Sequence, residues 1–338
     1  MSTVTDTFDP EVAAVLTEAL RAPSAHNAQP WRLVPTGPAS FGLHYDHLDY
    51  LPFDPDDRDA YLALGAFFET LALAACRAGM RAEIATRFER SGSDLWVGDV
   101  TVRSADPGDE PDPLAGPAAT RHTNRRPYDR TPVPPPLAAA LAELGNVTVP
   151  PRTIARLVAR ASVLSWRDRR FVGDLRRWTR ADATAPDGMT PEGLALSRVE
   201  WAALRAAFRM GRLPAPAALA YASRDVRLLR TSEAVCVLGA RSLDPAELFD
   251  SGRRLLRSWV AIGAAGWACH PISVAVDRPE TAPRVAALAG VAVPVAVYRV
   301  GHPTADVARS NRRSLADVVR PPAGGPDGGR RPAERPEG

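Results

Sequence analysis

The sequence predicts an α+β fold made of two related, fused halves with a helical insertion in the second. Three observations carry this. Long apolar helical stretches ending at glycine recur as Asp57…Gly65…Gly79 and Asp244…Gly252…Gly266, at a constant spacing of 187 residues. A strand-like run follows each of them. Between about residues 150 and 230 lies a helical stretch additional to the two halves, broken at 183–191 and 212–216 by proline and glycine. A repeat this long is what two fused copies of one fold produce, an intramolecular version of a twofold dimer.

The elements follow in order. Residues 11–21 have the apolar spacing of an amphipathic helix, and 31–35 and 41–47 read as strands. The stretch 57–79 is apolar nearly all round through its interior, so it is expected to be a buried helix. Strands follow at 82–88 and 95–103, and the Pro/Asp/Gly-rich run 106–117 is the best boundary between halves. A short helix at 137–144 precedes the helical stretch. Residues 233–240 form a strand, 245–266 a second apolar helix, and 268–276 and 291–300 two more strands. The expected organisation is therefore 1–116 for the first half and 117–320 for the second, with an insertion at about 150–230. The Pro/Gly/Arg-rich tail 321–338 is expected to be disordered.

Composition narrows the function classes. Of the 338 residues, 45% are hydrophobic and 24% charged, as in an ordinary soluble globular protein. All 42 basic residues are arginine, but they alternate with acidic ones to a net charge of +3. No run grips a phosphate backbone, so nucleic acid is not an expected partner. Cys76, Cys236 and Cys269 lie far apart without CxxC spacing and read as buried thiols, not as a disulfide frame or zinc site. His44 and His47 fall on opposite faces of a strand, so no metal site is expected there. Neither a leader segment nor a membrane-spanning stretch is read, and the expected compartment is cytoplasmic.

The stretch that carries chemistry is Pro23-Ser24-Ala25-His26-Asn27-Ala28-Gln29-Pro30-Trp31. Two prolines restrain a loop holding a hydroxyl, an imidazole and two carboxamides. Such groups offer both donors and acceptors, which suits a flat heterocycle with alternating edges. A polar helix-to-strand turn is the plain alternative.

This string, Pro-Ser-x-x-Asn-x-Gln-Pro-Trp, resembles the flavin-contacting loop of the FMN-dependent nitroreductase family, and within it the long, single-chain, Acg-like actinobacterial branch. The resemblance covers about 11–104, 118–145 and 232–318, and is weak across 150–230. It implies a nitroreductase-like fold and FMN as cofactor. In that family two flavin sites lie at a dimer interface, each shared between an Arg-x-Ser/Thr-x-Lys/Arg segment and the Pro-Ser loop. Here Arg121-His122-Thr123-Asn124-Arg125 fits the first part and opens the second half. The converse elements are absent: residues 1–10 contain no arginine, and the second half has no Pro-Ser-x-x-Asn copy. The resemblance thus implies a pseudodimer that kept one of two flavin sites, a monomer with dimer-like symmetry.

Arg121, Thr123 and Arg125 suit the FMN phosphate, because guanidinium binds phosphate bidentately at any working pH. Arg312 and Arg313 match the family's C-terminal basic pair, and Pro23, Ser24, His26, Asn27 and Gln29 complete the flavin loop. The family's Pro-x-Glu-Gly beside the ring corresponds to His270-Pro271-Ile272-Ser273-Val274, where Ser273 and Val274 replace a carboxylate and a glycine. Pro271 and Ser273 are therefore expected at the cofactor, with the usual nicotinamide pocket altered. His270 reads either as a proton donor or as a hydrogen-bonded core histidine. No residue is singled out as catalytic.

The resemblance implies NAD(P)H-dependent reduction of a small aromatic or conjugated acceptor. The alternatives are storage of FMN beneath a lid at 150–230, or a pathway-specific dehydrogenase or dehalogenase.

Overall fold

The computed structural model describes residues 7–46, 53–54 and 56–320. The first half runs α1 (Pro10–Ala19), β1 (Trp31–Gly37), β2 (Ser40–Asp46), α2 (Arg58–Arg77), β3 (Met80–Ser91) and β4 (Asp94–Ser104). The crossing segment holds one helical turn, α3 (Ala115–Ala118), and the two-residue β5 (Tyr128–Asp129). The second half runs α4 (Pro135–Glu143), β6 (Asn146–Val149), then α5 (Pro151–Trp166), α6 (Arg169–Arg177), α7 (Arg198–Met210) and α8 (Ala215–Arg230). It continues through β7 (Ala234–Ala240), α9 (Pro245–Ala264), β8 (Ala268–Pro271), α10 (Ala282–Ala289), β9 (Val293–Pro303) and α11 (Leu315–Val318).

Proline at the first or second position of α1, α4, α5, α8, α9 and α10 supplies the fixed φ a helix start needs. Each half gives one antiparallel sheet. The first is ordered β1-β2-β4-β3. The second contains the path β6-β7-β9-β8, with β5 pairing the far end of β9. Reading α4, β6, β7, α9, β8, β9 against α1, β1, β2, α2, β3, β4 gives the same element order and strand order twice. The second half differs by what it carries in two turns: α5 to α8 between β6 and β7, and α10 between β8 and β9.

The halves meet where α2 crosses α9. A Cβ on Gly65 would sit 1.9 Å from the Phe249 carbonyl oxygen, and one on Gly252 would sit 2.1 Å from that of Leu62. Leu62 and Phe249 keep the 187-residue spacing of Gly65 and Gly252. Residue i of one helix therefore meets the equivalent of j on the other, and j the equivalent of i, which is the pattern of an isologous contact. One core runs through the crossing and includes Trp31, Leu64 and Phe67 from the first half with Phe249, Trp259 and Tyr298 from the second. By length and composition α2 is apolar enough to cross a membrane, but it is enclosed by this core.

Several expectations are revised. The Pro/Gly-rich run 106–117 is not a loose linker: the Asp112 amide donates to Cys76 Sγ (3.2 Å), and its carboxylate pairs with Arg257 (2.7 Å). The strand expected over 268–276 stops at Pro271 and gives way to a 3-10 turn, Ser273–Ala275. Proline has no N–H for the ladder, and the Ser273 hydroxyl instead accepts from the Val297 amide (3.1 Å). The insertion is not a unit apart from the scaffold. Ile154, Val158 and Ala161 of α5 and Leu229 of α8 pack on Val235, Val237 and Val297, covering the sheet face opposite α9. Only α6, α7 and the segment between them lie outside that layer, around Trp166, Val172, Leu204 and Leu213. The 321–338 tail and His47 lie outside the described residues. His44 is held by Asp94 (2.6 Å), and no metal-binding cluster occurs among the described residues.

The crossing makes a sharp test. Gly65→Ala is expected to destabilise the protein by about 1–3 kcal/mol or more, since backbone cannot yield to an added methyl. Gly263→Ala, on the same pair of helices but with nothing within 4 Å, is expected to cost nothing or to stabilise slightly. Equal chemical-denaturation midpoints for the two variants would remove the tight crossing from the account.

Candidate functional site

The loop between α1 and β1 is strained and held from three sides. His26 (φ 51°), Asn27 (φ 57°) and Gln29 (φ 53°) all occupy the left-handed region, three non-glycine residues in four positions. Each costs of the order of 1–2 kcal/mol, so the surrounding structure must enforce the shape. Ser24 Oγ accepts from the Gln29 amide (2.9 Å). The Asn27 carboxamide donates to Gly188 O (3.1 Å) and Asn311 O (3.2 Å), and Gly188 N donates back to Asn27 O (3.1 Å).

Gln29 is fully buried and fully used. Its Nε2 donates to Pro186 O (2.8 Å), and its Oε1 accepts from Arg313 N (2.9 Å). The structure therefore sets Gln29 behind the loop as a strut, away from the cavity the loop faces. Arg313 shares that role: it pairs with Asp187 (2.7 Å), which also pairs with Arg180 (2.8 Å).

Arg121, Thr123 and Arg125, with His122 between the first two, border one cavity from a non-regular segment. Between them Asn124, 1% exposed, fixes the segment: its amide donates to Cys269 O (3.1 Å) and its side chain to Ala305 O (2.9 Å). These residues and the signature loop converge. Pro23, Ser24, His26, Asn27, Arg121, Thr123, Arg125 and Arg312 border one small polar cavity, together with Arg21, Arg309 and Gly188. It adjoins a larger cavity of ≈ 500 Å³ through His26, Arg125, Met189 and Leu194, which border both. Pro271 and Ser273 border the larger one, as do Trp166, Phe171 and Phe208 of the insertion. His26 Nε2 lies 3.6 Å from the buried carboxylate of Asp174.

The electrostatics are one-sided. Arg121, Arg125 and Arg312 donate to backbone carbonyls (Arg21 O, Gly193 O and Ser310 O among them), and no carboxylate among the described residues pairs with any of the three. Arg121 Nη1, Arg312 Nε and Asn27 Oδ1 are buried with no hydrogen-bond partner among the described residues. Burial, reinforced by neighbouring cations, pushes Arg121 and Arg125 down to about 10 and Arg312 to about 9. Such a pocket is short of an anion.

The other half offers a direct contrast. The α4–β6 connection, which corresponds by element order to the signature loop, is only Leu144 and Gly145. The cleft beside it, ≈ 690 Å³, also collects arginines, but each has a carboxylate. Arg253 and Arg257 meet Glu69 (both 2.8 Å), Arg254 meets Glu247 (3.2 Å), and Arg241 donates to Glu247 (2.7 Å).

The sequence reading missed Arg21 and Arg309 on the cavity wall and Asn124 and Asp187 behind it. Asn124 lies inside the Arg-x-Thr-x-Arg segment, where its side chain is committed to Ala305 O. Asp187 lies in a turn-rich stretch with no signal of its own.

No family model matches the chain. It is 28% identical over 330 residues, 92% of its own length and 91% of theirs, to Mycobacterium tuberculosis proteins of strains CDC 1551 and H37Rv that carry the provisional name NAD(P)H nitroreductase. The nitroreductase resemblance in the signature segments thus extends to relatives matched over nearly the whole chain. Among solved structures, an Anabaena variabilis protein described provisionally as a nitroreductase aligns over 90% of each chain, with 9% identity and a TM-score of 0.44. The FMN-dependent nitroreductase NfnB of Mycobacterium smegmatis, in complex with NADPH, aligns over 63% of this chain and 96% of its own, with 20% identity and a TM-score of 0.32.

Asp187→Ala removes the charge-assisted contacts that fasten the 183–191 segment to Arg180 and to Arg313 beside the signature loop. Local opening is expected to become easier by about 1.5–3 kcal/mol, with the Gly188 and Met189 amides exchanging at least tenfold faster. Unchanged exchange at those amides would show that Asp187 does not hold the segment.

Proposed function

We propose that this chain is an FMN-dependent oxidoreductase of nitroreductase type, which holds one FMN and passes electrons from NAD(P)H to a small aromatic or conjugated acceptor. The observation that carries the reading is the anion-deficient pocket. Three arginines without a paired carboxylate among the described residues, two of them (Arg121 and Arg312) each with a buried unpartnered nitrogen, stand beside a strained loop that leaves an amide oxygen unmet. A phosphate monoester brings about two negative charges and several acceptor oxygens, which is what Arg121, Arg125, Arg312 and Thr123 lack. The Mycobacterium tuberculosis relatives, named for NAD(P)H and nitroreductase, support the same activity.

Bound FMN would supply hydride-level redox chemistry at its ring nitrogen N5. The protein's share is recognition and exclusion. The arginines bind the phosphate end, and the loop from Pro23 to Asn27 offers donors and acceptors of fixed direction. The 178–197 segment covers the junction of the two cavities through Met189 and Leu194. With α5 and α8 assigned to the scaffold, the covering lid is α6, α7 and that segment.

The pseudodimer reading rests on the doubled strand order and the reciprocal glycine crossing, with one half at 1–116 and the other at 117–320. In it the second flavin site has decayed, because its loop is two residues long and its arginines are neutralised. One observation favours FMN storage as a second reading: the Asn27–Gly188 and Gln29–Pro186 bonds tie the lid segment directly to the flavin loop. Mixing FMN-loaded protein with NADPH, NADH and dithionite separates the two. Bleaching by a nicotinamide within seconds supports the enzyme, whereas bleaching by dithionite alone supports storage.

Released flavin measured against protein is expected to give one FMN per chain. Two, or none after reconstitution, would overturn the single composite site. Arg121→Ala is expected to weaken FMN binding about tenfold or more and riboflavin hardly at all, since a charge-assisted phosphate contact is worth roughly 1.5–3 kcal/mol. Equal losses for both ligands would place Arg121 away from the phosphate.

A further inference from the structure

His270 stands at the edge of the larger cavity with one ring nitrogen already committed. Arg299 Nε donates to His270 Nδ1 at 3.0 Å. Arginine has no acceptor to offer, so Nδ1 is the unprotonated nitrogen and the neutral ring carries its proton on Nε2. Arg299 itself is fully buried on β9, stacked 4.0 Å over the Tyr128 ring. Its other donors go to the Arg126 and Leu228 carbonyls and the Ser232 hydroxyl, all neutral acceptors. A buried cation one hydrogen bond away leaves no room for a second positive charge on the imidazole. Burial and the Arg299, Arg125 and Arg224 cations together hold His270 well below the usual histidine range.

The same cavity combines aromatic and apolar walls with charged groups, Arg125, Arg224, Arg227, Glu200, Asp225 and Asp277. Its walls include Trp166, Phe171, Leu204 and Phe208. Arg224, from α8, is compensated by Glu200 of α7 (2.9 Å), and Asp225 accepts from Ser162 (2.6 Å). The Tyr221 hydroxyl, also on the wall, is buried with no hydrogen-bond partner among the described residues.

We propose that His270 is a specificity-determining residue: an Nε2–H donor, its ring oriented by the Arg299 hydrogen bond to Nδ1, that selects conjugated compounds presenting a carbonyl or nitro oxygen to it. The proposal rests on the reading of this cavity as the acceptor site. It assigns His270 hydrogen-bond donation and not proton transfer, because a ring held neutral has no proton to give up and regain near neutral pH. A ligand with only donors would leave the Nε2–H unpaired.

The test uses FMN-loaded protein without a nicotinamide, and two probes that differ at one position, 2-acetylnaphthalene and 2-ethylnaphthalene. Equilibrium dialysis gives each affinity. His270→Leu is expected to weaken the ketone by about three- to tenfold, the range of one neutral hydrogen bond, and to leave the hydrocarbon unchanged or tighter. His270→Gln, whose carboxamide restores a donor, is expected to keep most of the ketone affinity. In wild-type protein the ketone affinity is expected to be the same at pH 6 and pH 9, with the ¹⁵N spectrum showing Nδ1 as the bare nitrogen at both.

Equal loss of both probes in His270→Leu, or a ketone affinity that follows a histidine titration, would overturn the proposal. So would a doubly protonated ring at pH 6, which needs no variant to observe. Protein that retains no FMN but keeps the His270-dependent ketone preference would overturn the cofactor reading and sustain this one.

Discussion

Everything functional in this chain depends on the approach of two helices at bare backbone. At the α2–α9 crossing no side chain fits between Gly65 and the Phe249 carbonyl, or between Gly252 and that of Leu62. Two halves joined at such a distance have one relative placement, and that placement brings the signature loop of the first half to the Arg121–Arg125 segment of the second. Neither segment makes an anion pocket alone. The loop supplies strain and directed polar atoms, and the other segment supplies charge.

The resulting pocket is costly in two independent ways. Three left-handed residues store backbone strain, and three guanidiniums share a partly dry space in which no carboxylate among the described residues pairs with them. The strain is borne by hydrogen bonds from segments far apart in sequence: Gly188 and Pro186 of the insertion, and Asn311 and Arg313 of the C-terminal region. The charge is borne by backbone carbonyls, which hydrogen-bond guanidinium without neutralising it. A ligand that brings the missing anion relieves the second cost outright, which is why the contrast with the paired arginines of the opposite cleft matters. There Glu69, Glu247 and Asp112 already do what a phosphate would do.

The insertion serves two purposes with different physics. Its outer helices, α5 and α8, bury valines and alanines against β7 and β9 and behave as ordinary core. The stretch between them contributes aromatic walls to the larger cavity and a short segment fastened over the signature loop. Asp187 holds that segment between Arg180 and Arg313, so the fastening is ionic and local while the packing beneath it is apolar. Cover and core are thus separable within one continuous insertion.

Much of this was written in local residue pattern. Periodicity located α1, α2, β1 to β4, β7 and α9, because long amphipathic or wholly apolar runs leave few alternatives. The constant spacing of glycines signalled the two halves, and the Pro-Ser-Ala-His-Asn and Arg-x-Thr-x-Arg strings marked the polar residues that converge. What the pattern did not carry were the elements fixed by distant partners. The two-residue β5 and the four-residue β6 exist only because β9 and β7 offer edges. Residues 273–275 left the strand because Ser273 found the Val297 backbone. Gln29 and Arg313, read as cofactor contacts from the sequence, have hydrogen bonds to protein partners that no local pattern announced. The sequence by itself determined which residues are polar or charged. Only the tertiary structure decided which of those charges find a counter-charge, because pairing depends on distances between segments that no local pattern encodes.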